Sequence, residues 1–127
     1  MVNNMTSRVV HFEVPVENMG RAINFYKNVF GWKFDEWDGP EKYMMVTTGK
    51  KSEMGINGGM VAKSKKMPYV INTIGVKSVD DFIEEIKKNG GKIITSKTVI
   101  PKIGYMAYFK DTEDNIFGIM ESDMKAK

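Results

Sequence analysis

The chain has 127 residues, 42% hydrophobic and 28% charged, which fits one globular domain that buries roughly two-thirds of its unfolded surface. It contains no cysteine, which excludes a disulfide scaffold, a thiolate nucleophile and a sulfur-rich zinc site. The net charge of +3 is mild and carboxylates are interspersed among the lysines, so we expect no nucleic-acid partner. No apolar run is long enough to span a bilayer and no secretory signal is recognisable, so we expect no membrane partner and a cytoplasmic location.

The first half of the chain predicts a strand, a helix and three further strands. Residues 8–14 alternate between apolar and polar side chains, as a strand with one buried face does. Asn18 is an N-cap residue before an apolar stripe of helical period, and Gly31 ends that stripe as a C-terminal cap does. The further strands are predicted at 32–37, 43–48 and 56–60. In the last of these, Asn57–Gly59 lacks the spacing of a phosphate-binding loop, and we expect a loop that needs positive φ.

The second half repeats the first at an offset of sixty residues. Residues 11–16 align with 71–76, Gly31 aligns with Gly91, and Ser78 is the equivalent N-cap. The strands of this half are predicted at 69–76, 92–99, 105–110 and 116–121. We therefore predict an N-terminal tail at 1–7, a single domain over 8–122 with modules at 8–61 and 69–121, and a C-terminal tail at 123–127.

This repeat predicts an α+β fold built from two tandem βαβββ modules. A single helix covers only one face of its sheet, so neither module can bury its sheet alone. Side by side, the modules would form a curved, open-barrel-like mixed sheet with the helices outside. We call the concave face of that sheet the cup, and it is the expected place for a ligand.

Four segments of the chain resemble the vicinal oxygen chelate superfamily, which contains glyoxalase I, extradiol dioxygenases and bleomycin-resistance proteins. They are Val10–Val16, Ala22–Phe34, Ile56–Met60 and Tyr108–Gly118. In ordered combination they cover nearly the whole chain, and the most similar group is the small bacterial glyoxalase-related branch. The resemblance implies the βαβββ pair, a cup that binds a small molecule, and a homodimer.

The resemblance also implies where a divalent metal would be held, and this chain departs from that pattern. Metal-using members have a histidine on the first strand, where His11 stands, but the repeat places Ile71 at the partner position. The glutamate expected seven residues after Asp111 is Gly118, which the repeat aligns with Ile56. We therefore predict a cup without metal or other cofactor, and neither a metal-dependent glyoxalase I nor an extradiol dioxygenase.

The candidate site residues follow from strand parity and hairpin pairing. If 111–115 is a hairpin loop, Lys110 pairs with Ile116, and Tyr108 pairs with Gly118 and leans over it. Glu13 shares the face of His11, and parity places Trp32 and Trp37 on opposite faces. The expected ligand-binding set is His11, Glu13, Trp32, Asn57, Thr73, Met106 and Tyr108. His11 and Tyr108 are also candidates for proton transfer, although the more ordinary reading of His11 is a hydrogen-bonded pocket residue, and Tyr108 can instead fill the space left by Gly118.

Two functions of different classes fit these residues. The first is a protein that binds a small organic molecule in a metal-less cup. The second is a metal-independent lyase or isomerase that uses His11 as acid or base. A subunit whose cup serves only assembly is a third reading. The sequence does not decide whether the protein is an enzyme, and a homodimer is expected in each case.

Overall fold

The computed structural model of the chain describes residues 6–39 and 42–127, and it divides into two units. Module one corresponds to the unit of residues 11–71, and module two to the unit of residues 72–127 together with 6–10. A strand that crosses one of these boundaries is described with the module that contains most of it. The N-terminal tail predicted at 1–7 lies largely outside the described residues. Neither helix in the described ranges is long and apolar enough to cross a membrane.

Module one contains one helix and a four-stranded mixed sheet. Its elements are β1 (Arg8–Val16), α1 (Met19–Phe30), β2 (Lys33–Glu36), β3 (Met44–Thr47) and β4 (Gly58–Ala62). The strand order is β2-β3-β4-β1, with β1 parallel to β4 and the other pairs antiparallel. A parallel pair needs a long crossover, and the α1–β2–β3 segment provides it between β1 and β4.

The ends of α1 lie where the sequence places them. The side chain of Asn18 accepts a hydrogen bond from the backbone N–H of Arg21 at 2.9 Å. Gly31 has a φ of 72°, and its N–H donates to the carbonyl of Lys27. A left-handed residue after the last turn satisfies a carbonyl that the helix leaves unpaired, and glycine adopts that conformation without steric cost.

β4 begins two residues later than predicted because Asn57 closes the β3–β4 connection. Its Oδ1 accepts from the backbone N–H of Thr48 at 2.8 Å, and Thr48 Oγ1 donates to the carbonyl of Ile56 at 2.6 Å. Gly58 and Gly59 then lie inside β4, and neither has a positive φ. The prediction of a positive-φ loop at Asn57–Gly59 is wrong, since these glycines serve close packing against neighbouring side chains.

Module two repeats this architecture. Its elements are β5 (Ile71–Gly75), α2 (Val79–Lys88), β6 (Lys92–Ile100), β7 (Gly104–Lys110) and β8 (Ile116–Ser122). The strand order is β5-β8-β7-β6, with β5 parallel to β8 and the other pairs antiparallel. Its core lies between α2 and one face of this sheet, and it includes Val76, Val79, Ala107 and Ile119.

The β7–β8 hairpin has the predicted register. Lys110 pairs with Ile116 and Tyr108 with Gly118, so both predictions are confirmed. The loop is fixed by Asp111, whose Oδ1 accepts from the backbone N–H groups of Glu113 and Asn115 at 2.8 and 2.9 Å. These bonds favour the charged carboxylate and lower the pKa of Asp111.

The C-terminal segment predicted as a tail contacts the β6–β7 turn. The carbonyl of Ala126 accepts from the N–H of Lys102 at 2.9 Å, and the N–H of Asp123 donates to Ile103 at the same distance. Ala126 is buried as a result. The last residues thus cover one end of the module two sheet.

Candidate functional site

The two faces of β1 carry different chemistry. Phe12 points to the α1 side, where its ring lies 5.8 Å from that of Trp32, which in turn stacks on Tyr26 at 4.9 Å. His11 and Glu13 point to the opposite face, because side chains alternate along a strand. The candidate site of module one lies on this second face.

A tyrosine joins the two polar residues of this face. His11 Nε2 lies 2.6 Å from the hydroxyl oxygen of Tyr43, which is the residue immediately before β3. The same hydroxyl is hydrogen-bonded to the carboxylate of Glu13. Glu13 is only 8% exposed, whereas His11 and Tyr43 are half-buried. We call His11, Glu13 and Tyr43 the polar trio.

Burial and the charge of Glu13 set the electrostatics of the trio. Burial lowers the pKa of His11, and the nearby carboxylate opposes this with a smaller effect. Burial also raises the pKa of Tyr43, as do the charge of Glu13 and the hydrogen bond to it. At neutral pH the trio therefore consists of a neutral imidazole and a protonated phenol beside a carboxylate.

Gly59 makes room for the trio. A Cβ atom at this position would collide with the hydroxyl group and ring of Tyr43. Trp37 completes the surroundings, since its ring meets that of Tyr43 edge-on with centroids 6.1 Å apart. Gly58 has the same role on the other face of β4, where a Cβ atom would collide with Phe12. The two adjacent glycines thus allow one aromatic ring to pack closely against each face of the strand.

Module two has an equivalent arrangement with different side chains. Glu13 pairs with Gly59 between β1 and β4, and Thr73 pairs with Gly118 between β5 and β8. The counterpart of Gly118 is therefore Gly59, and the predicted alignment of Gly118 with Ile56 is wrong. Repeat alignment failed here because the modules differ in length between the helix and the last strand.

Tyr108 covers Gly118 as predicted from the pairing. A Cβ built on Gly118 would lie 3.4 Å from the Tyr108 ring and 2.9 Å from Thr73 Oγ1. Thr73 is 1% exposed, and its hydroxyl has no hydrogen-bond partner among the described residues. Met106 shares this face, two residues from Tyr108 along β7. Thr73, Met106 and Tyr108 therefore lie on the face opposite α2.

Two predicted ligand-binding residues lie elsewhere in module one. Trp32 packs in the aromatic cluster beneath α1 and is not brought together with His11. Trp37, which the sequence places on the other face, is the tryptophan beside the polar trio. Asn57 is exposed, and its side chain braces the β3–β4 connection through Thr48.

Comparison with known proteins identifies the family. A family model described as bleomycin resistance protein-like N-terminal matches residues 8–49. A glyoxylase-like domain-containing protein from Didymella fabae is 30% identical over 116 residues, which cover 84% of this chain and 88% of that protein. The chain belongs to the glyoxalase-like family, within the vicinal oxygen chelate superfamily. The predicted resemblance is thereby confirmed.

Solved structures agree with this assignment at the level of the fold. A hypothetical protein from Bacillus halodurans C-125 matches with a TM-score of 0.73 at 18% identity, over 97% of this chain and 99% of that one. Methylmalonyl-CoA epimerase from Mycobacterium tuberculosis matches with a TM-score of 0.67 at 11% identity, over 91% and 87%. At such low sequence identity these structural matches show the fold alone. They confirm the predicted α+β class for this glyoxalase-like chain.

The metal that many members of the superfamily use does not fit the residues present in this glyoxalase-like chain. His11 and Glu13 are the candidate ligands of module one, and both are bonded to the Tyr43 hydroxyl. The paired strand positions are Gly59 and Gly118, which offer no side-chain donor atom. Within residues 6–39 and 42–127, no three His, Cys, Asp or Glu side chains are grouped so as to hold a metal ion.

Sequence reasoning missed Tyr43 as a site residue. It lies 32 residues from His11, and no local pattern links the two positions. The available signal was the Gly58–Gly59 pair, because adjacent glycines within a strand indicate that other groups approach the backbone closely.

Proposed function

We propose that this glyoxalase-like protein binds a small organic molecule at the face of module one that carries His11, without a metal ion. The observation that supports this is the polar trio itself. Its two potential metal ligands are bonded to a phenol, its histidine is only half-buried, and the ring of Trp37 packs edge-on against that of Tyr43. Apolar and aromatic walls with a few fixed polar groups are typical of small-molecule sites.

The proposal extends to the second group of predicted residues. Thr73, Met106 and Tyr108 share one face of module two, and the hydroxyl of Thr73, which has no partner within residues 6–39 and 42–127, is a polar group that a ligand or water could satisfy. The substitution Thr73→Val tests the contribution of this group separately.

Native mass spectrometry of freshly purified protein tests the binding function. We expect a bound organic molecule, and we expect His11→Gln to weaken its retention. Tyr105→Phe is the matched control, because the Tyr105 hydroxyl also bonds a carboxylate, that of Asp123 at 3.4 Å, but it belongs to module two. A stoichiometric divalent ion held by His11, or retention that does not change in His11→Gln, would contradict the proposal.

A second candidate function is a metal-independent lyase or isomerase that uses His11 as acid or base. The observation in its favour is that Tyr43 connects His11 to a buried carboxylate, since imidazoles linked to carboxylates commonly transfer protons. With a turned-over compound in hand, His11→Ala should abolish turnover while the affinity for that compound is largely kept. Unchanged turnover in this variant would exclude the role of His11.

We also propose that the protein is a cytoplasmic homodimer. Helix α1 leaves Phe25, Val29 and Phe30 more than half exposed, and exposed apolar side chains in a group are typical of association surfaces. Light scattering coupled to size-exclusion chromatography should give twice the chain mass of 14.4 kDa. A monomer at all concentrations tested would refute the dimer.

A further inference from the structure

The hydroxyl of Tyr43 bonds two partners but has only one proton. A phenol can donate one hydrogen bond and accept others through its oxygen. In the bond to Glu13 the hydroxyl donates, because a carboxylate only accepts hydrogen bonds, and this bond raises the pKa of Tyr43. The proton of Tyr43 is therefore directed at Glu13, and the oxygen faces His11 with a lone pair.

This arrangement fixes which nitrogen of His11 carries the proton. The Nε2 atom is 2.6 Å from the Tyr43 oxygen, so it must donate when the oxygen accepts. Burial keeps the imidazole neutral at neutral pH, and a neutral imidazole has one N–H group. If Nε2 has that proton, Nδ1 is left with a lone pair.

We infer that Tyr43 is a positioning residue: it receives the Nε2–H of His11, donates its own proton to Glu13, and so makes His11 present Nδ1 as an acceptor. The ligand of this site is then a neutral or cationic molecule that offers an N–H, O–H or weakly acidic proton. The statement about the ligand rests on the proposed binding function, whereas the role of Tyr43 does not.

The charge of Glu13 points to the same class of ligand. Glu13 is buried two residues from His11 on the same face of β1, and its carboxylate is hydrogen-bonded to the Tyr43 hydroxyl. A carboxylate or phosphate brought to His11 would meet this charge in a poorly solvated place, where like charges repel strongly. A ligand that donates to Nδ1 meets no such penalty.

Nitrogen-15 NMR of the imidazole ring tests the role of Tyr43 without any ligand. His11 is the only histidine of the chain, so both ring nitrogens are assigned unambiguously. At neutral pH we expect the Nε2–H form to exceed the Nδ1–H form by about tenfold or more, because the latter loses a hydrogen bond to Tyr43. Tyr43→Phe should abolish this preference.

Tyr105→Phe is the control for removal of a phenol hydroxyl. This variant should leave the His11 spectrum unchanged, since Tyr105 bonds Asp123 in module two. A wild-type spectrum in which Nδ1 carries the proton would overturn the inference, and so would an unchanged tautomer ratio in Tyr43→Phe. The wild-type measurement decides the question even if the Tyr43 variant does not fold.

Three probes of similar shape test the ligand class: benzamidinium, benzamide and benzoate. We expect the first two to shift the Nδ1 resonance of His11, and benzoate to bind at least about tenfold more weakly. Tighter binding of benzoate would overturn the assignment of ligand class. No response to any probe, with the Nε2–H form intact, would count against the proposed binding function and would support the role of Tyr43 alone.

Discussion

Gly59 illustrates how one atom can control a site. A Cβ at this position would collide with the Tyr43 hydroxyl, so Gly59→Ala must displace either Tyr43 or the backbone of β4. We expect a loss of about 1–3 kcal/mol in the free energy of unfolding, as overpacking usually costs, and a changed His11 NMR spectrum. Urea denaturation and the imidazole spectrum measure the two effects.

Gly20 provides the matched control for that substitution. It lies in α1, and a Cβ there would meet only Asn18 Oδ1, at 3.7 Å. Gly20→Ala should therefore keep or raise stability, by up to about 1 kcal/mol, because alanine is the better helix former. Equal effects of the two substitutions would show that close packing at Gly59 is unimportant.

The buried hydroxyl of Thr73 predicts an unusual response to substitution. It has no partner among the described residues, so Thr73→Val removes an unpaired polar atom while it keeps the shape of the side chain. We expect stability to be unchanged or to rise by about 1 kcal/mol. Thr95→Val should instead lower stability by a similar amount, since Thr95 Oγ1 accepts from the N–H of Tyr108 at 3.1 Å. A clear loss in Thr73→Val would indicate a water or ligand bonded to the hydroxyl.

His11 predicts a specific dependence of stability on pH. Burial lowers its pKa in the folded protein below the ordinary value of 6.5, so below about pH 6.5 the unfolded chain binds a proton that the folded protein does not. The stability that neutral His11 contributes is complete above pH 6.5 and is lost as the pH falls towards the folded pKa. The free energy of unfolding at pH 8, 7, 6 and 5 should therefore decline more steeply for wild type than for His11→Gln. The pKa of Asp111 is lowered from 3.8, so its contribution to stability is lost only below about pH 3.8, outside the range of this measurement.

At the scale of elements, strand β8 contributes to the N-terminal cap of helix α2. Oε1 of Glu121 accepts from the backbone N–H of Val79 at 3.0 Å, and Ser78 accepts from Asp81 at 3.1 Å. The first N–H groups of a helix have no partner within it, and their positive partial charge favours a carboxylate. Glu121 therefore has a structural role at the start of helix α2.

Substitution of Glu121 tests this capping role. Glu121→Ala should cost about 1 kcal/mol, whereas Glu121→Gln, which keeps an acceptor oxygen, should cost less. Thermal unfolding followed by circular dichroism gives the ranking, with wild type first and the alanine variant last. An alanine variant as stable as the glutamine variant would show that the hydrogen bond contributes little.

At the scale of the whole molecule, the donor set predicts indifference to divalent metals. A metal ion that binds only the folded state raises the melting temperature. Because we expect no such binding here, addition of Ni²⁺ or Zn²⁺, or treatment with a chelator, should leave the melting temperature unchanged. Glyoxalase I activity on the glutathione hemithioacetal should be absent with either metal. A melting temperature that rises with metal in wild type but not in His11→Gln would contradict this prediction.

Much of the fold was predictable because its signals are local. Helix caps such as Asn18 and Gly31 act on adjacent backbone groups, and the short 111–115 loop fixes the Tyr108–Gly118 register. The candidate site was only half predictable. Strand parity paired Glu13 with His11, but Tyr43 reaches them through a contact between positions far apart in the chain, which leaves no periodic pattern.

The match between the Glu13–Gly59 and Thr73–Gly118 pairs has an evolutionary consequence. Duplication of an ancestral half would supply the same backbone frame twice, and one copy could then lose its ionisable group without loss of the other. The double substitution Glu13→Thr with Thr73→Glu exchanges the two residue types between the modules. It would show whether the shared backbone arrangement or the identity of the side chain determines where acid–base chemistry can arise.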